Sequence, residues 1–366
     1  MSERTGLLSY FDGLKDPRHH RTQKHPMESV VFISIAAIVC GADTWDEIED
    51  FGLAKEDWLS TIVPLPNGIP SHDTFNRFFA ALAPGEFEVC FGQWASSISV
   101  RSNGEVINLD GKTIRGSKGI DKTAAHIVTA WSGANALSLG QLQVDDKSSE
   151  AVAIPKLLAM LFLEGCIVTI DAAGCQTKIA QAIVDKGADY LLCAKANQPK
   201  LLDGIQQSFA LRPVAHSWED TEADHGRITT RTCSVINDLS LIPQVEKWPM
   251  IQSIARVDSQ TYHKARKHTT SMTRYYITSL VPDAELIGRT VRSHWQIENG
   301  LHWQLDVSYR EDASRKRKDN AAMNFSSLVK MTLTMLKRDK TTRVGIKSKR
   351  LKAGWNNDYL LQVLNL

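Results

Sequence analysis

Cysteine is sparse in this 366-residue chain: there are six, with no CxxC pair and no Cys/His grouping at zinc-ligand spacing. That excludes a disulfide framework and a structural zinc site, and it points to a cytosolic protein. Long apolar runs are also missing. The most apolar stretch, residues 30–42, contains Ser34 and Gly41 and falls well short of the roughly 20 residues that span a bilayer. It follows His19, His20, Arg21, Lys24 and His25 rather than a short basic leader, so neither a signal peptide nor a membrane anchor is expected. Internal repeats and low-complexity tracts are absent, and 43% hydrophobic with 23% charged residues is ordinary globular composition for two or three domains. Net charge is nearly absent as well, at +2 from 43 basic and 41 acidic residues. The total hides a distribution: from Arg310 to Lys352 fourteen Lys and Arg stand against four acids, a local +10. A stretch this basic suits phosphate neutralisation.

Hydrophobic periodicity divides the chain. Residues 1–98 read as an N-terminal helical domain, with an apolar helix from Glu28 to Cys40. An acidic helix follows from Thr44 to Leu59, and another opens at Ser71-His72-Asp73-Thr74 after a breaker-rich stretch. From about residue 104 short β-rich runs appear: 106–109 ending at Asp110, then 126–131 and 137–144, a three-strand meander. A helix from Glu150, a strand at 167–170 ending at Asp171, a helix from Gln176 and a strand at 190–193 complete a β-β-β-α-β-α-β order over 104–210. This predicts an α/β fold, a mixed sheet covered by helices. Residues 211–282 read as a β-rich insertion. Residues 283–336 return to helix, with an amphipathic segment from Ala321 to Leu336, and 337–366 form a basic C-terminal tail.

Three motifs in the chain are incomplete. Gly111-Lys112-Thr113 lacks the upstream glycine of a phosphate-binding P-loop, where Val106 stands. Asp110-Gly111-Lys112-Thr113 lacks the second aspartate of an aspartyl-phosphate hydrolase. His294, Glu298 and His302, four apart on one helix, form a stripe too long to close on one zinc ion. The strand-end carboxylates remain. Taken singly, Asp110 and Asp171 are equally read as turn caps; taken together, they fall side by side if their strands are neighbours. Adjacent carboxylates repel unless a cation neutralises them, and hard oxygen donors favour Mg2+ or Mn2+.

The stretches 108–117 (NLDGKTIRGS), 168–176 (VTIDAAGCQ), 194–198 (AKANQ), His225-Gly226-Arg227, 294–299 (HWQIEN) and 301–303 (LHW) resemble insertion-sequence transposases of the ISAs1 type. The H-repeat-associated proteins belong to that group, within the IS4-like DDE superfamily. Asp16-Pro17-Arg18, His25-Pro26 and 70–75 (PSHDTF) resemble the helical domain that precedes the catalytic core in this group, so the resemblance spans nearly the whole chain. It implies an RNase H-like core interrupted by a β-rich insertion, with Asp110, Asp171 and Glu298 as catalytic and metal-holding residues. The partners it implies are double-stranded DNA, as element ends and target, and a second copy in a synaptic homodimer, in the bacterial cytoplasm at the nucleoid. The wider superfamily carries Tyr, Arg and Lys at fixed offsets around the glutamate, where this chain has Val291, His294 and Leu305.

In-line cleavage of a phosphodiester develops charge on the attacking and leaving oxygens, which two metal ions stabilise together. Asp110 is expected to bridge both, with Asp171 and Glu298 completing one each. Water would be the nucleophile for cleavage and a 3′-hydroxyl for strand transfer. Lys112, Arg115, Lys118, Lys195, Arg292, His294, Asn299, His302, Arg315 and Arg317 are the expected DNA contacts. Glu150 either starts its helix, where a carboxylate favours the dipole, or joins the metal site. Trp131, Trp295 and Trp303 are either core or stacking platforms for unpaired bases. A DNA-binding relic without activity, or a nuclease without strand transfer, would carry the same residues.

Overall fold

The computed structural model describes residues 6–100, 102–119, 123–144, 150–224 and 226–365. The N-terminal part is five helices: α1 (Met27–Val39), α2 (Trp45–Ala54), α3 (Glu56–Ser60), α4 (His72–Ala81) and α5 (Pro84–Ile98). The apolar α1 is the buried centre of this layer. The single acidic helix expected over 44–59 is two, broken at Lys55. Its acids are only partly a solvated face. Thr44 and Glu47 form a capping box, Glu49 takes the backbone N–H of His72 at 2.7 Å, and Asp43 pairs with Arg350 at 2.8 Å.

The strands of the core are β1 (Val106–Thr113), β2 (His126–Ser132), β3 (Leu137–Val144), β4 (Ile167–Ile170) and β5 (Asp189–Ala194), interleaved with α6 (Glu150–Met160) and α7 (Thr177–Val184). Their order is β3-β2-β1-β4-β5, with β1–β3 antiparallel and β4 and β5 parallel to β1. This is an RNase H-like core. After α8 (Pro199–Leu211) come four strands, β6 (His216–Asp224), β7 (Arg227–Ile236), β8 (Ser253–His263) and β9 (His268–Thr278). They do not form a separate β subdomain. β9 pairs antiparallel with β5, from Leu191↔Thr278 to Ala194↔Tyr275, so one sheet of nine strands runs from the core into the insertion. β6 was invisible to the hydrophobic pattern because its sequence, HSWEDTEAD, is acidic and mostly exposed.

Beyond the sheet lie α9 (Ala284–Gln296), a π-helix (Ile297–His302), α10 (Trp303–Tyr309), α11 (Ala321–Arg338), α12 (Ile346–Trp355) and α13 (Asn357–Leu364). The amphipathic reading of α11 does not hold, because every residue from Ala321 to Leu336 is buried. This helix is the spine between the N-terminal helices and the sheet. The basic tail is likewise folded: α12 and α13 pack on the N-terminal helices. Of the fourteen basic residues in the +10 run, Lys316, Lys330, Lys349 and Arg350 are buried. Arg350 bonds the backbone carbonyls of Ile38 and Ala42, both at 3.1 Å, so part of the charge closes the fold. Among the described residues no helix is long and apolar enough to cross a membrane, and all six cysteines are free thiols.

A buried polar network joins the two halves. Glu88 on α5 accepts bonds from Ser327 Oγ and from Gln141 Nε2, the latter at 3.0 Å, and Lys330 Nζ donates to Gln141 Oε1. Burial pushes Glu88 up to about 7 and Lys330 down to about 8. Glu88 therefore keeps, between about pH 4.5 and 7, a proton that the unfolded chain has released, and this contribution to stability is lost as pH rises through 7. Glu88→Gln, which cannot ionise, is expected to gain on the wild type by roughly 1–3 kcal/mol between pH 5 and pH 8, at 1.36 kcal/mol per pKa unit. Paired thermal melts at the two pH values check this; a difference that does not change with pH contradicts it.

Candidate functional site

Parallel pairing of β1 with β4 ends at Leu109↔Ile170, so the next residues, Asp110 and Asp171, lie in neighbouring positions where two interior strands of the sheet part. Asp110 is not the end of its strand as expected. β1 runs on to Thr113 because its other neighbour, β2, pairs as far as Thr113↔His126. Side chains alternate along β1. Ile107 and Leu109 join the core under α6 and α7, and Asn108, Asp110 and Lys112 face the opposite side, toward α9. Gly111 points away from the aspartates, and there a Cβ would collide with Glu150 Oε1 and come within 2.6 Å of His126 Nε2. Glu150 thus sits behind the strand, bonded to His126 at 2.6 Å, at the start of α6 and outside the aspartate cleft.

Across the other side, the α9–α10 helix is laid on the strands by three contacts. His294 Nδ1 lies 2.8 Å from Thr169 Oγ1, whose hydroxyl bonds Asn108 Oδ1 at 2.7 Å. His302 Nδ1 lies 3.5 Å from Asp110 Oδ2, and Asp306 Oδ1 lies 2.7 Å from Lys112 Nζ. In a regular α-helix, residues eight apart are out of phase by about 80°. The π-helix at 297–302 takes up that excess, which lets His294 and His302 face the same strands and places Glu298 between them. Such turns recur at functional sites.

Asp110, Asp171 and Glu298 line one cleft of about 90 Å³ with Lys195, Arg274, His294 and Trp295. Burial pushes Asp110 up to about 7 against the Gly111 N–H bond, and the charges of Glu298, Glu150 and Asp171 add to it. Asp171 is also desolvated but is held below its ordinary value by Lys195 Nζ at 2.8 Å and by the Ala172 N–H. Burial lowers His294 to about 4 and His302 to about 3, so both are neutral near pH 7. With the Thr169 hydroxyl proton given to Asn108, His294 donates its Nδ1–H and presents Nε2 as an acceptor.

The expected DNA contacts divide. Lys112 is not free for phosphate: only 12% exposed, it is held by Asp306, Glu311 and Asp312 at 2.7–3.2 Å. Arg292 is committed to Glu222 at 2.6 Å, on the acidic strand the sequence reading missed. Neutral His294 and His302 carry no charge for a phosphate. Lys195 reaches the cleft; Asn299 is exposed beside Glu298, and Arg115, Lys118, Arg315 and Arg317 are exposed, with Arg115 also 3.3 Å from Asp312. Trp131 is buried core, whereas Trp295 and Trp303 are exposed. His225 and residues 147–149 before Glu150 lie outside the described residues. Arg274, absent from the sequence reading, lines the cleft and stacks over Trp295 at 5.0 Å. Only the β5–β9 register, which sequence does not display, sets it beside the aspartates.

The family described as Transposase DDE domain matches residues 101–335, and the one described as DDE_Tnp_1-associated matches residues 8–95. The chain belongs to the DDE transposase family. It is 39% identical to YncI of Escherichia coli O157:H7, named as a transposase, over 98% of this chain and 94% of that protein. It is 35% identical to YhhI of Escherichia coli K12, named as an H repeat-associated transposase, over 98% and 97%. Among solved structures, the cryo-EM synaptic complex of piggyBac transposase with hairpin DNA aligns over 98% of this chain and 78% of that one, with a TM-score of 0.47 and 10% identity.

DDE transposases use divalent metal ions in general, and the donor set of this one suits them. Three carboxylates supply hard oxygens, and among the described residues no lysine or arginine pairs with Asp110 or Glu298. The carboxylates stand apart in this structure: among the described residues no three His, Cys, Asp or Glu side chains are gathered closely enough to hold an ion. Like charges oppose such a gathering, and Lys195 already neutralises Asp171.

Proposed function

We propose that this transposase cuts and rejoins DNA at the ends of an insertion sequence, with Asp110, Asp171 and Glu298 as the ligands of a pair of Mg2+ or Mn2+ ions. The observation that carries the reading is that carboxylates from β1, from the end of β4 and from the π-helix line one cleft, where burial and the charges of Glu298, Glu150 and Asp171 push Asp110 up. The bound ions would activate the attacking oxygen and stabilise the leaving one.

The protein's own groups do the rest. Arg274 offers a cationic donor at the cleft for the scissile phosphate, and Lys195, paired with Asp171 at 2.8 Å, would be released to it once metal took over that carboxylate. Neutral His294 offers Nε2 as a hydrogen-bond acceptor that orients the attacking water or hydroxyl. Exposed Arg115, Lys118, Arg315 and Arg317 extend the positive surface along the duplex. Two element ends call for two active sites, so a homodimer is the expected working form.

Arg274→Ala is expected to weaken DNA binding evenly across sequences and to reduce the slope of log K against log salt by about 0.9, one phosphate contact; an unchanged slope removes Arg274 from the interface. The activity itself is tested with the full chain, paired element ends, a target plasmid and Mg2+. Integration is expected. Cleavage alone would mark a nuclease, and neither product with intact DNA binding would mark an inactive descendant.

A further inference from the structure

We propose that Lys112 is a positioning residue that sets Glu298 against Asp110, by tying the end of β1 to the helix that carries Glu298. This rests on the reading of Asp110 and Glu298 as metal ligands.

Lys112 is two residues from Asp110 on the same face of β1, one pleat farther along. Its ammonium meets Asp306 on α10 at 2.7 Å, and Glu311 and Asp312 just beyond at 3.0 and 3.2 Å. Glu311 is itself buried and takes a 2.8 Å bond from Ser326 Oγ on α11. One cation thus joins the strand of the first aspartate to the helix of the glutamate and, through Ser326, to the central spine.

The adjoining backbone shows the same closeness. A Cβ on Gly116 would come within 2.5 Å of the Ser314 carbonyl oxygen and 2.9 Å of that of Asp312, so only glycine lets the two segments run together there. Arg317 Nε bonds the Gly116 carbonyl at 3.2 Å, and Arg115 Nε lies 3.3 Å from Asp312. The π-helix and α10 are continuous from Ile297 to Tyr309, so a displacement at Asp306 is carried to Glu298, eight residues back. Without the Lys112 charge, Asp306, Glu311 and Asp312 repel one another and the helix is released from β1. A role confined to stability would leave metal affinity untouched in the folded protein.

The experiment is Mn2+ binding to the full-length chain, read by loss of the free-ion electron paramagnetic resonance signal, alongside metal-free melting. Wild type, Lys112→Met, Lys112→Arg, Asp306→Asn and Glu298→Gln are compared. Lys112→Met and Asp306→Asn are expected to bind Mn2+ about 10–100-fold more weakly, the usual effect of losing a group that orients a ligand, with partial recovery in Lys112→Arg. If Lys112→Met does not fold, Asp306→Asn decides, because Lys112 there keeps two of its partners. Wild-type affinity in the folded variants, with binding weakened in Glu298→Gln, overturns the positioning role alone. A wild type that binds no Mn2+, or a Glu298→Gln that binds like wild type, overturns the ligand reading and this proposal with it.

Discussion

Asp110→Asn is expected to stop metal-dependent strand cleavage while making the metal-free protein more stable above pH 7. The two effects have one cause. Asp110 is raised to about 7 from an ordinary 3.8, because burial and three neighbouring acids penalise its charge. Between about pH 4 and 7 the folded protein therefore holds a proton that the unfolded chain has lost, so stability falls as pH rises through that window and stays low above it. Asparagine carries no charge and escapes the penalty. At 1.36 kcal/mol per unit, reduced because the side chain is 27% exposed and partly screened, the gain is about 2–3 kcal/mol at pH 8 and vanishes near pH 4. Cleavage should fall at least about 10³-fold, since a metal ion contributes several kcal/mol to the transition state and each 1.36 kcal/mol is tenfold. Melting at the two pH values and a cleavage assay check both halves. A variant that loses cleavage and stability together would instead mark Asp110 as a structural residue.

Glu298→Gln is the second large effect, with a different signature. Glu298 is exposed on the π-helix, so its removal should leave melting in the absence of metal within about 0.5 kcal/mol of wild type. Cleavage should again fall at least about 10³-fold, and Mn2+ binding should weaken, with DNA affinity and its salt slope unchanged. Retained cleavage in this variant would break the triad. His294 and His302, which flank it on the same helix, would then be the groups to test.

The two aspartates were legible because each follows a short apolar run, and the β-β-β-α-β order is one that places such runs side by side. The register of Leu109 against Ile170 was not legible, and neither was the continuation of β1 through Asp110, which depends on pairing with β2. The acidic β6 and the joining of β9 to β5 escaped because strand pairing is a long-range property. For the same reason the sequence does not display Arg274 at the cleft, and it presents Lys112 and Arg292 as free cations. Their charges are spent on Asp306, Glu311, Asp312 and Glu222, partners between 70 and 200 residues away in sequence. The +10 run overstated the free charge, because Lys316, Lys330, Lys349 and Arg350 are folded inward.

The most direct test of the account is anomalous diffraction from crystals of the full chain soaked in Mn2+. The account predicts anomalous density in the cleft between β1, β4 and the π-helix, coordinated by Asp110 together with Asp171 and Glu298, and lost in Asp110→Asn. Density confined to other sites, or ions held there without Asp110, would contradict it.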